Sequence, residues 1–221
     1  MATSTTTRLL VLGVTQIFGP ANGYQLRREL LSWNVQHWAN VNPGSIYSML
    51  ATLAKQGLVE RADVVTSEGA HPVAVFRTTT RGDDALRQMV RDGLTEVHQF
   101  ERTEFYAAAS LMVTTLERDE IAGLLEQRVS NLRSDAMQLE ASMAAVASDV
   151  GTPPHVARLM DYSVQLMAAE AAWLGGFVDD IRSGAMVFLG EPDMATWRPA
   201  DNDPAWQMVA EREKYLRALE S

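Results

Sequence analysis

Asn42-Pro43-Gly44-Ser45-Ile46-Tyr47-Ser48-Met49-Leu50-Ala51-Thr52-Leu53-Ala54-Lys55-Gln56-Gly57-Leu58-Val59 is the stretch on which the fold turns. Ile46, Met49, Leu50 and Leu53 recur at helical spacing, Pro43 stands where a first-turn proline is tolerated, and Gly57 closes the segment. The spacing predicts a helix of about fourteen residues. Its other face carries Ser45, Ser48, Thr52 and Lys55, small polar or cationic groups that can reach phosphates and base edges without steric conflict.

Upstream, Leu9, Leu10, Gly13, Val14 and Ile17 mark a first helix that the Gly19-Pro20 pair stops near Phe18. A second begins after Asn22, a good N-cap, and carries Tyr24, Leu26, Leu30 and Leu31 with Arg27, Arg28 and Glu29 on its outer side as far as about Trp33. Downstream the period changes. Leu58 to Arg61 leads into Val64-Val65, Glu68-Gly69-Ala70-His71-Pro72 supplies turn chemistry, and Val73, Val75 and Phe76 continue an apolar strand. Thr79 or Thr80 then caps a helix with Asp83 and Asp84 near its positive end and Leu86, Met89 and Val90 on its core face.

Three helices, a two-stranded hairpin and a following helix are the winged helix-turn-helix layout, in which the third helix enters the major groove of DNA and the hairpin tip touches the adjacent backbone. Within it, Leu12-Gly13, Gly23-Tyr24-Gln25-Leu26, Gly44-Ser45-Ile46-Tyr47-Ser48-Met49-Leu50 with Leu53, Gln56-Gly57-Leu58-Val59, and Phe76-Arg77-Thr78-Thr79 before Gly82 resemble the PadR-like family of transcriptional regulators. The resemblance implies that Ser45, Tyr47 and Tyr24 lie near DNA phosphates. The chain departs from that pattern at Ala51-Thr52, where relatives carry lysine or arginine, and at Phe76, where tyrosine is usual, which leaves fewer cationic phosphate contacts. Candidate DNA-binding residues are Tyr24, Arg28, Gly44, Ser45, Tyr47, Ser48, Thr52, Lys55, His71 and Arg77, with Arg27 and Arg61 beside them. For Tyr24 and Tyr47 the competing reading is an amphipathic core residue with a wet hydroxyl.

The fold class expected is mainly α, a winged helix domain over 1–92 followed by an all-helical domain over 93–221. Nearly half of the 221 residues are hydrophobic, enough for a sizeable core, and the absence of cysteine removes disulfides and thiolate chemistry. A net charge of −9 argues against nucleic acid as a partner until its distribution is read. Residues 1–92 hold nine Lys/Arg against seven Asp/Glu, whereas the remainder holds ten against twenty-one. The apolar run from Leu9 to Phe18 is interrupted by Thr15 and Gln16 and is too short to span a bilayer, so a cytoplasmic protein with no membrane partner is expected.

In the C-terminal part, Phe105, Ala108, Leu111 and Met112 suggest that the helix after the wing extends or restarts from near Val97 and Phe100, and Thr114 with Glu117 fits a capping box for the next. Leu125, Val129, Leu132, Ala136, Leu139, Met143, Val146 and Val150 alternate by three and four. After Gly151-Thr152-Pro153-Pro154 the same rhythm returns in Met160, Val164, Met167, Ala171, Leu174, Val178 and Ile181. An antiparallel helical pair follows. Leu159, Leu166, Trp173 and Phe177 widen the apolar stripe, and a homodimer is the remedy, with Leu139, Met143, Met167, Trp173, Leu174 and Phe177 as its candidate contacts. Glu170-Ala171-Ala172-Trp173-Leu174 also resembles the dimerising helices of longer PadR-like proteins. Past Gly184 the segment with Pro192, Pro199 and Pro204 reads as irregular, and a last short helix covers about Trp206 to Leu219.

His37, His71, His98 and His155 are scattered, and His98 with Glu101 on one helical face lacks further ligands, so neither a metal nor a cofactor is expected. No nucleophile elbow, P-loop or dinucleotide fingerprint occurs, which argues against an enzyme. The function expected is a sequence-specific regulator of transcription on a palindromic operator. The resemblance implies a repressor released by a small, aromatic effector, for which Trp33, Trp38, Phe100, Tyr106 and Trp173 are candidate pocket residues. The alternatives are a winged helix that binds a protein partner and, after it, an enzyme with an unrecognised site.

Overall fold

The computed structural model describes residues 4–65, 71–99, 101–148, 153–192 and 205–220. Its elements are α1 (Ser4–Phe18), β1 (Ala21–Asn22), α2 (Gly23–Ser32), α3 (Val35–Trp38), α4 (Pro43–Lys55), β2 (Val59–Val64), β3 (Val73–Thr78), α5 (Thr80–Thr95), α6 (Thr103–Thr115), α7 (Arg118–Ser148), α8 (Pro154–Ser183) and α9 (Ala205–Glu220). The chain divides into two compact units, residues 1–90 with 195–221 and residues 91–194.

The first unit is a winged helix. Leu9, Leu10, Val14, Leu26, Leu30, Ile46, Leu50 and Leu53 are buried, so the apolar faces of α1, α2 and α4 that the sequence marked meet in one core. Asn22 caps α2 through a capping box with Gln25, each side chain accepting the other's backbone N–H. The antiparallel sheet has the order β1-β3-β2. Its third strand, Ala21 and Asn22 paired with Phe76 and Val75, is too short to leave a periodic trace in sequence. Thr79 Oγ1 accepts the Gly82 N–H at 3.1 Å and donates to the Gly57 carbonyl at 2.8 Å, which ties the start of α5 to the end of α4. A Cβ at Gly82 would lie 1.9 Å from the Leu58 carbonyl oxygen, so only glycine fits there.

The last helix packs with the first unit. α9 belongs to the winged helix unit: Ala205, Met208 and Tyr215 are buried, and Tyr215 forms an apolar cluster with Val64 and Val75 to which Ala62, Val73, Ala218 and Leu219 add. The apolar rhythm of α9 could not name the surface it covers.

The second unit is helical. α7 and α8 pack along the predicted seam, with Leu125, Val129, Leu132, Val164, Met167, Ala171, Leu174, Val178 and Ile181 buried. Leu139 and Met143 are half-buried, and Val150 lies outside the described residues. The helix after the wing ends at Thr95 and restarts at Thr103, so His98 and Glu101 sit in a link with no helical face between them. Thr114 bonds back to the Leu111 carbonyl at 3.0 Å inside the last turn of α6 and caps nothing. Arg128, 1% exposed, stacks over Phe105 and reaches Glu170, which Arg102 grips from its other oxygen at 2.7 Å. Burial pushes the Arg128 guanidinium down from its ordinary value, and Glu170 holds it charged.

Candidate nucleic-acid interface

α4 owes its exposed face to four buried positions, Ile46, Leu50 and Leu53 on the helix and Leu58 just past it, which leave Gly44, Tyr47, Ser48, Ala51, Thr52 and Lys55 toward solvent. Ser45 is half-buried. The hydroxyls bond locally: Ser45 to the Asn42 carbonyl at 2.6 Å, Ser48 to Gly44 at 3.1 Å and Thr52 to Ser48 at 2.8 Å. Each has spent its one donor on its own backbone, so a phosphate would be met only after the hydroxyl rotates. Gly44 differs in kind. A Cβ there meets nothing within 4 Å, so the chain itself does not require glycine, and the open space suits an approaching backbone from outside. Asn42, the N-cap of α4, makes no side-chain capping hydrogen bond.

Tyr24 is 58% exposed and Tyr47 44%, so neither is a core residue. The Tyr47 ring lies against the start of α2, where a Cβ at Gly23 would be 3.0 Å from its Cε1. Tyr24 carries the Arg27 guanidinium 5.8 Å from its ring centroid. The glycine of the Gly23-Tyr24 pair thus serves the tyrosine of α4.

The cations sort into engaged and unengaged. Arg77 pairs with Glu60 at 2.8 Å and Arg61 with Asp63 at 3.1 Å, so two wing arginines are already neutralised. Arg28 donates to Gln207 of α9 at 2.6 Å, and Arg8 donates to Gln56. Lys55 and Arg81 make no ion pair among the described residues. His71 is exposed, and the wing tip before it, 66–70, lies outside the described residues.

Arg81 is a cation that the sequence patterns do not single out. Its Nη1 comes within 3.9 Å of the Cβ position at Gly57, at the end of α4. The available signal was electrostatic: a cation in the first turn of α5 faces the positive end of the helix dipole, a placement that helix stability alone does not favour.

The six dimerisation candidates separate. Met167 and Leu174 are buried in the α7–α8 seam of their own chain. Trp173 is 58% exposed and stacks on Phe177, ring centroids 5.0 Å apart, and with Leu159, Tyr162 and Leu166 they form a stripe on the outer side of α8. Leu139 and Met143 are half-buried toward the far end of α7.

The candidate pocket aromatics are divided between the two units. Trp33 and Trp38 belong to the first unit, donating to Glu29 and to the Trp33 carbonyl, whereas Tyr106 and Trp173 are exposed in the second, and Phe100 lies outside the described residues. The second unit holds a groove of about 670 Å³ between α7 and α8, lined by Val129, Met137 and Val178 among charged Arg133, Asp179 and Arg182. Among the described residues no group of three or more His, Asp or Glu could hold a metal ion, and no helix is long and apolar enough to cross a membrane.

The model of the Transcriptional regulator PadR-like family matches residues 11–88. Over those residues the chain is similar to that family. The match covers α2, α4, the whole wing and most of α1 and α5, the elements that hold Tyr24, Tyr47, Gly44 and Lys55. Bacillus subtilis PadR, solved in complex with operator DNA, is similar to the chain at 18% identity, covering 79% of this chain and 98% of that one with a TM-score of 0.34. No curated protein matches the chain. The PadR-like region ends inside α5, so α6 to α9 lie outside it.

Proposed function

We propose that the chain is a DNA-binding regulator of transcription, a repressor that sits on a palindromic operator in the cytoplasm as a homodimer and is released by a small, aromatic effector. The observation that carries this reading is that the PadR-like match coincides with a winged helix whose α4 keeps an open Gly44, an exposed Tyr47 and, among the described residues, an unpaired Lys55 on one face. In that layout α4 lies in the major groove, Tyr24 and Tyr47 meet phosphates, and Lys55 and Arg81 supply charge at the helix's far end. The net charge of −9 does not oppose this, because the acidic excess lies beyond residue 92.

The homodimer reading is supported by the Leu159, Tyr162, Leu166, Trp173 and Phe177 stripe, a run of apolar surface along one helix that a second copy would bury in a two-fold contact. α8, with 30 residues, is about 45 Å long, enough to hold the ~34 Å span between successive half-sites of an operator. An aromatic effector would find the Trp173–Phe177 stack at such an interface.

Selection of bound duplexes from random sequence, with the chain's own upstream DNA as control, tests the function. A recovered palindrome bound with steep salt dependence is the expected result. A chain that enriches no sequence but captures a protein partner is a protein-interaction module instead.

A further inference from the structure

We propose that α9 is a working part of the DNA-binding unit, a clamp through which Glu211 and Tyr215 set the N-terminus of α2 and the wing in their binding positions. This rests on the regulator reading above and assigns a role to a helix that lies outside the PadR-like match.

The observation is a closed polar network at the capping box. Asn22 uses Oδ1 to accept the Gln25 N–H at 3.0 Å, and its free Nδ2 donates to the Tyr215 hydroxyl at 3.1 Å. Gln25 uses Oε1 to accept the Asn22 N–H at 2.9 Å, and its Nε2 donates to Glu211. The Tyr215 hydroxyl closes the ring by donating to the same Glu211 oxygen at 3.3 Å. Both cap side chains therefore spend one end on the start of α2 and the other on α9. Burial, with the Glu211 carboxylate beside it, pushes the Tyr215 phenol up from its ordinary value against the opposing Asn22 donor, so it stays a neutral donor.

The ring of Tyr215 does a second job. It is buried with Val64 and Val75, and Ala62 and Val73 join them, so the alternate residues of β2 and β3 that form the apolar side of the wing meet α9. A two-stranded ribbon with such a face has little independent stability. One residue thus touches the two pieces of the unit that approach DNA, the wing and the helix that presents Tyr24. Gln207 extends the grip one turn along α2 by accepting from Arg28. These bonds leave Lys55 and Tyr47 for the duplex.

The test uses the full chain and the selected duplex. Tyr215→Phe keeps the ring and removes the hydroxyl that joins Asn22 to Glu211; Tyr215→Ala also opens the wing cluster; Glu213→Gln, on the solvent side of α9, is the control. The expected result for Tyr215→Phe is about a fivefold loss of duplex affinity, the equivalent of one hydrogen bond of about 1 kcal/mol. The Gln25 amide exchanges hydrogen faster while thermal midpoint and oligomeric state hold. Tyr215→Ala adds faster exchange at Val64, Val73 and Val75 and a salt slope lower by about one unit as a wing contact is lost. Unchanged affinity in Tyr215→Phe overturns the proposal, whether or not Tyr215→Ala folds. A wild-type chain that binds no duplex overturns the regulator reading itself, a different outcome from equal binding by wild type and variant.

Discussion

Arg77 Nε lies 2.8 Å from Glu60 Oε2, and the two residues are directly opposed in the β2–β3 register. The pair is nearly half exposed, so it contributes little to stability, but it neutralises positive charge that the wing would otherwise offer. Replacing Glu60 by glutamine keeps the shape and frees the guanidinium. The expected outcome is a several-fold gain in duplex affinity with the salt slope steeper by up to about one unit and a melting temperature within a degree or two. An unchanged salt slope would place Arg77 away from DNA.

Gly44 separates a structural from a functional glycine. Because a Cβ there meets nothing within 4 Å, Gly44→Ala should leave the fold intact and raise stability by about 0.4–1 kcal/mol through a less flexible unfolded chain. On the proposed docking, duplex affinity should fall all the same, since the added methyl would stand in the phosphate backbone's path. Thermal unfolding and duplex titration on one sample check both halves, and equal or tighter binding would remove Gly44 from the interface.

Much of this arrangement is legible in the amino-acid sequence. α1, α2 and α4 each have an apolar period and a chemical boundary, Gly19-Pro20 after α1, Asn22 before α2, Pro43 and Gly57 around α4, so local signals agree with the fold there, whereas the four-residue α3 is too short to show one. The α7–α8 seam is readable for the same reason. What escapes is information that no period carries. β1 has two residues, and α9 is amphipathic without naming its partner. On α8 the stripe of Met167 and Leu174 and the stripe of Trp173 and Phe177 are both apolar, and only packing against α7 decides which is inside. The donor state of Ser45, Ser48 and Thr52 depends on rotamers, and the neutralisation of Arg77 on strand register.

That decision on α8 yields a paired prediction. Trp173→Asp puts a charge on the exposed stripe and should dissociate the proposed homodimer without unfolding the chain, whereas Leu174→Asp buries an unpaired charge in the α7–α8 seam and should unfold the second unit. Sedimentation with circular dichroism distinguishes them. A Trp173→Asp chain that remains dimeric would move the interface elsewhere.

Acid should loosen the end of the second unit. Arg118 binds Glu191 through both carboxylate oxygens, at 2.7 and 2.9 Å, and these bonds, with the Phe188 N–H, hold the Glu191 carboxyl below its ordinary value of 4.5. A lowered folded pKa means that the stabilisation is complete above 4.5 and is lost as pH falls through the folded value. Unfolding measured from about pH 6 down to about pH 3 should therefore show a shallower acid decline in Glu191→Gln than in wild type. Parallel curves would contradict it.

The measurement closest to the central claim is the salt dependence of binding to the selected duplex, compared between wild type and Lys55→Ala. Lys55 is exposed and without an ion pair among the described residues, so its removal should leave the melting temperature unchanged. If α4 lies in the major groove with Lys55 on a phosphate, affinity falls uniformly across sequences and the slope of log affinity against log salt drops by about one unit. Binding that is indifferent to salt, or a slope identical in the two proteins, would contradict the account.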